Sequence, residues 1–240
     1  MKLVPFPAWP ASLRRSTDFS VGGFEPFSSL DWPDHLAAVI FAQGCPMQCS
    51  YCHNPQLMPC NNGEMAFSKV LTALDKRRTL LDGVVFSGGE PCGQTGLPEA
   101  IAAVRKLELK VALHTSGIFP GMLKKILPQL DWVGFDAKAP EDQYFRVTGT
   151  SAWRRTEESL DILLGSGCEF EARTTWSPQL FNETALFDLA QNLARRGVAH
   201  YALQRVRKPS GDGKRWEPGP APPAQLLEAL AGLFRHFTIR

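Results

Sequence analysis

From Leu36 onward the chain alternates short β-branched or aromatic runs with apolar residues at helical spacing, the order that a parallel sheet with crossover helices requires. The first strand is expected at residues 38–42, after which Phe67, Val70, Leu71 and Leu74 share one helix face. Strands at 84–87, 111–114 and 132–136 then alternate with helices at 98–106 and 122–127. The second half repeats the rhythm, with a helix at 159–164 closed by Gly165, a strand at 169–174, a stripe of Leu186, Leu189 and Leu193, and a sixth strand at 200–206. Gly197, behind Arg195 and Arg196, suits a helix C-terminus. Six βα units are fewer than the eight that close a full barrel. The expected fold is therefore α/β, a partial (β/α)6 barrel with a parallel sheet and outer helices, ahead of a flat doubly wound sheet. Periodicity alone does not separate the two.

The ends differ from this body. Residues 1–20 are rich in Pro and Ser without a period and read as an N-terminal extension, and residues 21–207 as the core domain. Residues 208–240 begin as a Pro/Gly-rich linker and end in a helix carrying Leu226, Leu227, Leu230 and Phe234. With 240 residues, 44% of them hydrophobic, the chain can bury one sizeable core. A net charge of +2 nominates neither nucleic acid nor an acidic surface as partner. The one basic concentration, Arg205, Arg207, Lys208, Lys214 and Arg215, reads first as a solvated face. No apolar run reaches the roughly 18 residues of a membrane span. Prolines stand in MKLVPFPAWP where a signal peptide has its apolar segment, so a cytoplasmic protein is expected.

Three of the six cysteines cluster in Gly44-Cys45-Pro46-Met47-Gln48-Cys49-Ser50-Tyr51-Cys52-His53-Asn54-Pro55, directly after the first strand. That is the carboxyl end of a parallel strand, where active sites gather. Thiolates so close together can turn onto one soft centre, iron–sulfur or zinc. A [4Fe–4S] cubane held by three cysteines leaves one iron open to a substrate or cofactor, whereas an electron-transfer cluster takes four. Zinc on Cys45, Cys49, Cys52 and His53 competes, although adjacent Cys52 and His53 strain a tetrahedron. The plainest reading is three buried, unliganded thiols. Cys60, Cys92 and Cys168 lie far apart without paired spacing and read as small apolar side chains rather than a second cluster. At the end of the next strand, Ser87-Gly88-Gly89-Glu90-Pro91 lets a ligand approach the backbone and offers a carboxylate to an amino group. Taken alone, that pattern is usually only a turn.

Together, CxxxCxxC with an aromatic residue before the last cysteine, then GGEP one βα unit later, resembles the radical S-adenosylmethionine superfamily. The CHNP continuation is similar to its glycyl-radical-enzyme activases. Within these, Gly22-Gly23, Ser28-Ser29-Leu30-Asp31-Trp32-Pro33, Phe41-Ala42-Gln43-Gly44-Cys45 and Tyr51-Cys52-His53-Asn54-Pro55 resemble the activating proteins of anaerobic ribonucleoside-triphosphate reductase. The likeness extends through Asp136-Ala137-Lys138-Ala139-Pro140, Glu171-Ala172-Arg173-Thr174-Thr175 and Leu203-Gln204-Arg205, and covers roughly residues 20–207.

The resemblance implies that Cys45, Cys49 and Cys52 hold three irons of a [4Fe–4S] cluster, with the fourth chelated by the amino and carboxylate groups of S-adenosylmethionine. It places Tyr51 by the adenine and cluster. Gly88, Gly89 and Glu90 fall at the methionyl amino group, and Ser87 and Pro91 shape that strand end. Thr115 and Ser116 come near the cofactor, while Asp136 and Lys138 face the ribose and carboxylate, a plain strand-end ion pair being the alternative. Arg173 suits either the cofactor carboxylate or a buried acid, and Gln204 either the pocket or a satisfied core position. His53 and Asn54 suit contact with a partner's glycine loop or a turn that positions Cys52. His114 reads as structural, and no catalytic side chain is expected beyond those at the cluster and cofactor. Cys92 departs from the family pattern, in which a small or hydroxylated residue is commoner.

The implied reaction is reductive cleavage of S-adenosylmethionine to methionine and a 5′-deoxyadenosyl radical, which takes a hydrogen from a glycine Cα of anaerobic ribonucleoside-triphosphate reductase. A flavodoxin or ferredoxin-like donor is implied as well. Two rivals stand beside it. One is a radical enzyme acting on a small molecule, resembling the 7-carboxy-7-deazaguanine synthases and needing an enclosed polar pocket; the other is a zinc-stabilised binding module.

Overall fold

The computed structural model describes residues 19–209 and 216–240, so the expected N-terminal extension up to residue 18, and Lys214 and Arg215 of the basic run, lie outside the described residues. The main sheet has eight strands: β1 (Val21–Ser28), β2 (Ala37–Ala42), β3 (Gly83–Gly88), β4 (Lys110–Thr115), β5 (Trp132–Asp136), β6 (Phe170–Trp176), β7 (His200–Arg205) and, after a small hairpin of β8 (Arg207–Pro209) and β9 (Trp216–Pro218), β10 (His236–Ile239). They stand in the order β1-β2-β3-β4-β5-β6-β7-β10. All neighbours are parallel except β1, which runs antiparallel to β2. The helices are α1 (Phe67–Asp75), α2 (Leu97–Arg105), α3 (Pro120–Ile126), α4 (Glu141–Thr148), α5 (Trp153–Leu164), α6 (Glu183–Arg195) and α7 (Ala224–Ala231).

The period of two along each strand divides the core. Ala38, Ile40 and Ala42 of β2 share the large apolar cluster with Val70 and Leu74 of α1, Ile101 and Val104 of α2 and Leu123 of α3. Ala37 and Val39 face the other way and meet Trp32, Val85, Ala112 and Trp132 in a second, smaller cluster to which no helix contributes. Helices on one face only mark a partial barrel, whereas a doubly wound sheet carries them on both. The sheet ends at β1 and β10 without closing, and its inner face rises from a small apolar floor to polar strand ends.

Five elements were not expected from the sequence: β8 and β9 pair as a hairpin in the stretch read as a Pro/Gly-rich linker, and β1, α4 and β10 each have a local reason. The edge strand β1 contains two glycines and a proline, which lower strand propensity but are tolerated at an edge, and its pairing shifts register twice. Helix α4 has eight residues, with only Tyr144, Val147 and Thr148 buried, too few to show a stripe. Strand β10 has four residues, none of them fully buried. Helix α7 stops before Phe234, whose ring stacks on Tyr201 at 4.6 Å instead. Among the described residues no helix is long and apolar enough to cross a membrane.

Candidate active site

A cavity of about 280 Å3 opens at the carboxyl ends of the parallel strands. The loop after β2 supplies Cys45, Cys49, Cys52 and Asn54, and the end of β3 supplies Ser87, Gly88, Gly89 and Glu90. Thr115 and Ser116 follow from β4, Asp136 and Lys138 from β5, Arg173 from β6 and Gln204 from β7. Tyr51 and Pro91 are not part of the lining. Tyr51 lies behind it, with the Lys138 Nζ 5.7 Å from its ring centroid, and Pro91 is buried in a 3-10 turn.

The cysteine loop is held by its backbone. Gly44 and Cys45 donate to the carbonyls of Leu57 and Met58, while Gln48 and Ser50 donate to those of Thr148 and Val147 at the end of α4. The end of β3 clamps onto the same loop, because Gly89 N–H donates to Ala42 and Glu90 N–H to Gly44, both at 2.9 Å. That approach demands glycine: a Cβ on Gly89 would fall 2.1 Å from the Gly44 oxygen, and Gly88 has φ +104°. Burial, with the Glu90 carboxylate beside it, pushes the Cys45 thiol up, and burial does the same for Cys49.

Glu90 is 1% exposed and gathers the ends of β3 and β4. Its carboxylate accepts from Thr115 Oγ1 at 2.7 Å, Ser116 N–H at 2.8 Å, Ser116 Oγ at 2.5 Å and Cys92 N–H at 3.2 Å. Burial holds its pKa above the usual carboxylate range, and the bonds from Ser116 and Thr115 work against that shift. Across the cavity, Lys138 Nζ donates to Asp136 Oδ2 at 2.9 Å. Burial disfavours the ammonium, but Asp136, Tyr51 and Cys49 outweigh it and keep Lys138 charged.

Arg173 lines the cavity, and its Nε donates to the buried Glu171 at 2.9 Å. Its guanidinium also lies 4.9 Å from the Trp132 ring and places Nη1 2.9 Å from His114 Nε2. His114 lines the cavity and approaches Ser87 Oγ at 3.1 Å and the Asp31 carbonyl at 2.8 Å, so it joins three strand ends. Burial and the neighbouring guanidinium hold it neutral, well below its ordinary pKa. Gln204 faces the cavity and accepts from Thr175 Oγ1 at 3.2 Å.

Sequence reasoning assigned no role to Asp31, Leu30 or Arg240. Asp31 and Leu30 sit in a quoted motif, but nothing there showed that the Asp31 carbonyl meets His114 and Arg173 or that Leu30, 80% exposed, stands at the cavity rim. Arg240 follows a strand too short to predict and makes two 2.9 Å bonds to Glu171. His53 and Asn54 part company: Asn54 lines the cavity, whereas His53 lines a separate depression that also borders Cys52.

Cys45, Cys49 and Cys52 line the cavity together, whereas His53, the fourth ligand that a zinc site would need, does not. Cys60, Cys92 and Cys168 stay outside the cavity lining. Three soft thiols lining one cavity with Glu90, the Asp136–Lys138 pair and Arg173 make a donor set that fits a thiolate-held cluster beside a zwitterionic, amino-acid-like ligand.

Comparison with known proteins agrees with this composition. The family model of the Radical SAM superfamily matches residues 39–177. A Methanocaldococcus jannaschii protein named as a glycyl-radical enzyme activating enzyme is 26% identical over 225 residues, 90% of this chain and 92% of its own length. The pyruvate formate-lyase-activating enzyme of Clostridium pasteurianum is 33% identical over 174 residues, 67% of this chain and 69% of its own. Among solved structures, Streptococcus suis SuiB bound to S-adenosylmethionine superposes with a TM-score of 0.65 at 13% identity, over 84% of this chain and 49% of that one. A radical SAM methyltransferase from Sphaerobacter thermophilus gives 0.63 at 17% identity, over 87% and 67%. At such identities the two structures speak to the fold.

Proposed function

Because the chain belongs to the radical SAM superfamily, in its glycyl-radical-enzyme activase group, we propose that it generates a glycyl radical on anaerobic ribonucleoside-triphosphate reductase. The family's cofactors are a [4Fe–4S] cluster and S-adenosylmethionine. When bound, they supply one-electron cleavage of a carbon–sulfur bond and hydrogen abstraction from carbon. The chain's own residues hold and orient. Cys45, Cys49 and Cys52 hold three irons; Glu90, with the Gly88 and Gly89 backbone, receives the methionyl amino group; Lys138 and Arg173 face its carboxylate, and Asp136 the ribose. Ser87, Thr115 and Ser116 fix the strand ends that carry these groups, and Tyr51 and Pro91 support them from behind. Gln204 closes the β7 side, and Asn54 stands where a partner's glycine loop enters.

The single observation that carries the reading is the convergence of three thiols and Glu90, Asp136 and Lys138 on one cavity from successive strand ends. A protein substrate, rather than a small molecule, is supported by the open sheet and by Leu30, an exposed apolar side chain at the rim of the cavity. The reductase as target rests on the motifs running from Ser28 to Pro33 and from Phe41 to Pro55. Reduced thiols suit a cytoplasmic setting with a flavodoxin or ferredoxin-like donor. The test is electron paramagnetic resonance of anaerobic ribonucleoside-triphosphate reductase and of pyruvate formate-lyase, each incubated anaerobically with the loaded protein, S-adenosylmethionine and a reductant. A glycyl-radical doublet on the reductase alone is expected; a doublet on the lyase alone would move the assignment to that partner.

A further inference from the structure

The buried Glu171 carboxylate is shared by two guanidiniums. Arg240 donates from Nη1 to Oε1 and from Nη2 to Oε2, both at 2.9 Å, and Arg173 donates from Nε to Oε1 at 2.9 Å. Both arginines line the cavity, whereas Glu171 does not. The backbone is arranged for this contact. Arg240 N–H donates to the Leu203 carbonyl and Arg205 N–H to the Arg240 carbonyl, which carries the β7–β10 ladder as far as Arg240. Glu171 and Arg173, two apart on β6, share one face of the sheet. Gly134 of β5 stands in register between His114 and Glu171, and a Cβ on it would fall 2.8 Å from both the Arg173 Cζ and the His114 ring. The absence of a side chain there is what lets Arg173 reach His114. The outer nitrogens of Arg173 meet only uncharged groups, with Nη1 2.9 Å from His114 Nε2 and Nη2 3.3 Å from the Asp31 carbonyl. Among the described residues, Glu171 is the one carboxylate in an ion pair with either arginine.

We propose that Arg240 is a positioning residue: through Glu171 it orients the Arg173 guanidinium and leaves its charge to the carboxylate of S-adenosylmethionine. The inference rests on the proposed activase reading, which sets that carboxylate against Lys138 and Arg173. With Glu171 alone, Arg173 would form a neutral pair and have little attraction left for a second carboxylate. Arg240 engages both Glu171 oxygens, so the three groups together keep one net positive charge beside the cavity. The planar fork of arginine spans both oxygens, which the point charge of a lysine does not.

The test is titration calorimetry of the cluster-loaded protein with S-adenosylmethionine and with decarboxylated S-adenosylmethionine, which keeps the amine and the sulfonium but lacks the carboxylate. Arg240→Gln is expected to weaken S-adenosylmethionine binding roughly tenfold and to change that of the decarboxylated analogue less than about twofold. Arg240→Lys should recover part of the loss. In a Glu171→Gln background, Arg240→Gln should add less than about twofold, because its route to Arg173 is already cut. If Glu171→Gln does not fold, the two Arg240 variants decide the matter. Equal losses for both ligands in Arg240→Gln would reduce Arg240 to general support of the strand ends, and unchanged S-adenosylmethionine affinity would show that Arg173 needs no such partner; either result overturns the proposal. So do fully additive losses in the double variant, which would put Arg240 itself on the ligand. Failure of the underlying reading looks different, because the parent protein then binds neither ligand even with its cluster in place.

Discussion

The Glu90 carboxylate takes both the main-chain N–H of Ser116, at 2.8 Å, and its hydroxyl, at 2.5 Å, so one buried side chain ties the end of β3 to the end of β4. Thr115 and Cys92 donate to the same carboxylate. Those donors orient the group that would meet the cofactor's amino nitrogen.

Glu90→Ala strands those four donors, and an unsatisfied buried polar group costs about 1–3 kcal/mol, so the variant should lose on the order of 3 kcal/mol of stability. Glu90→Gln keeps the shape and should lose less, yet bind S-adenosylmethionine at least about tenfold more weakly because the charge is gone. Urea denaturation and titration calorimetry read the two effects separately. Wild-type stability in the alanine variant would show that the carboxylate does not organise the strand ends.

Gly89→Ala forces a methyl group against the Gly44 carbonyl, 2.1 Å from an ideal Cβ, at the point where β3 grips the cysteine loop. The backbone must part there, which should cost about 3 kcal/mol or more and lower iron and sulfide content after reconstitution. Full cluster content at unchanged stability would mean that the contact yields without displacing Cys45.

Much of this was legible in the sequence because the relevant signals are local. The apolar periods of α1 and α6 come from burial on one face, β5 is a continuous run of buried residues, and CxxxCxxC and GGEP are contiguous in the chain. What stayed hidden depends on contacts between distant residues. Arg240 meets Glu171, and His114 meets the Asp31 carbonyl, across most of the fold, and neither residue type announces such a partner. The divergence of His53 from Asn54 is likewise set by the course of the loop around Cys52, which spacing does not encode.

His114 supplies a pH dependence. Folding holds it neutral, whereas in the unfolded chain it takes a proton near its ordinary value of 6.5. The folded state thus binds fewer protons, so this contribution is complete above that pH and declines as pH falls below it, by up to about 1.4 kcal/mol per pH unit. His114→Gln should flatten the slope by one proton in urea denaturation measured from pH 7 down to 5. Parallel slopes for the two proteins would place a charged imidazole beside Arg173 in the folded state.

The most direct test of the site is anaerobic reconstitution with iron and sulfide, followed by dithionite and S-adenosylmethionine, with 5′-deoxyadenosine and methionine quantified for the parent protein and for Cys49→Ala. Both products are expected from the parent in equal amounts, and neither from the variant, which should also fail to assemble the cluster. Product formation in Cys49→Ala, or a complete cluster in the parent that leaves the cofactor intact even with the protein substrate present, would contradict the assignment of this cavity.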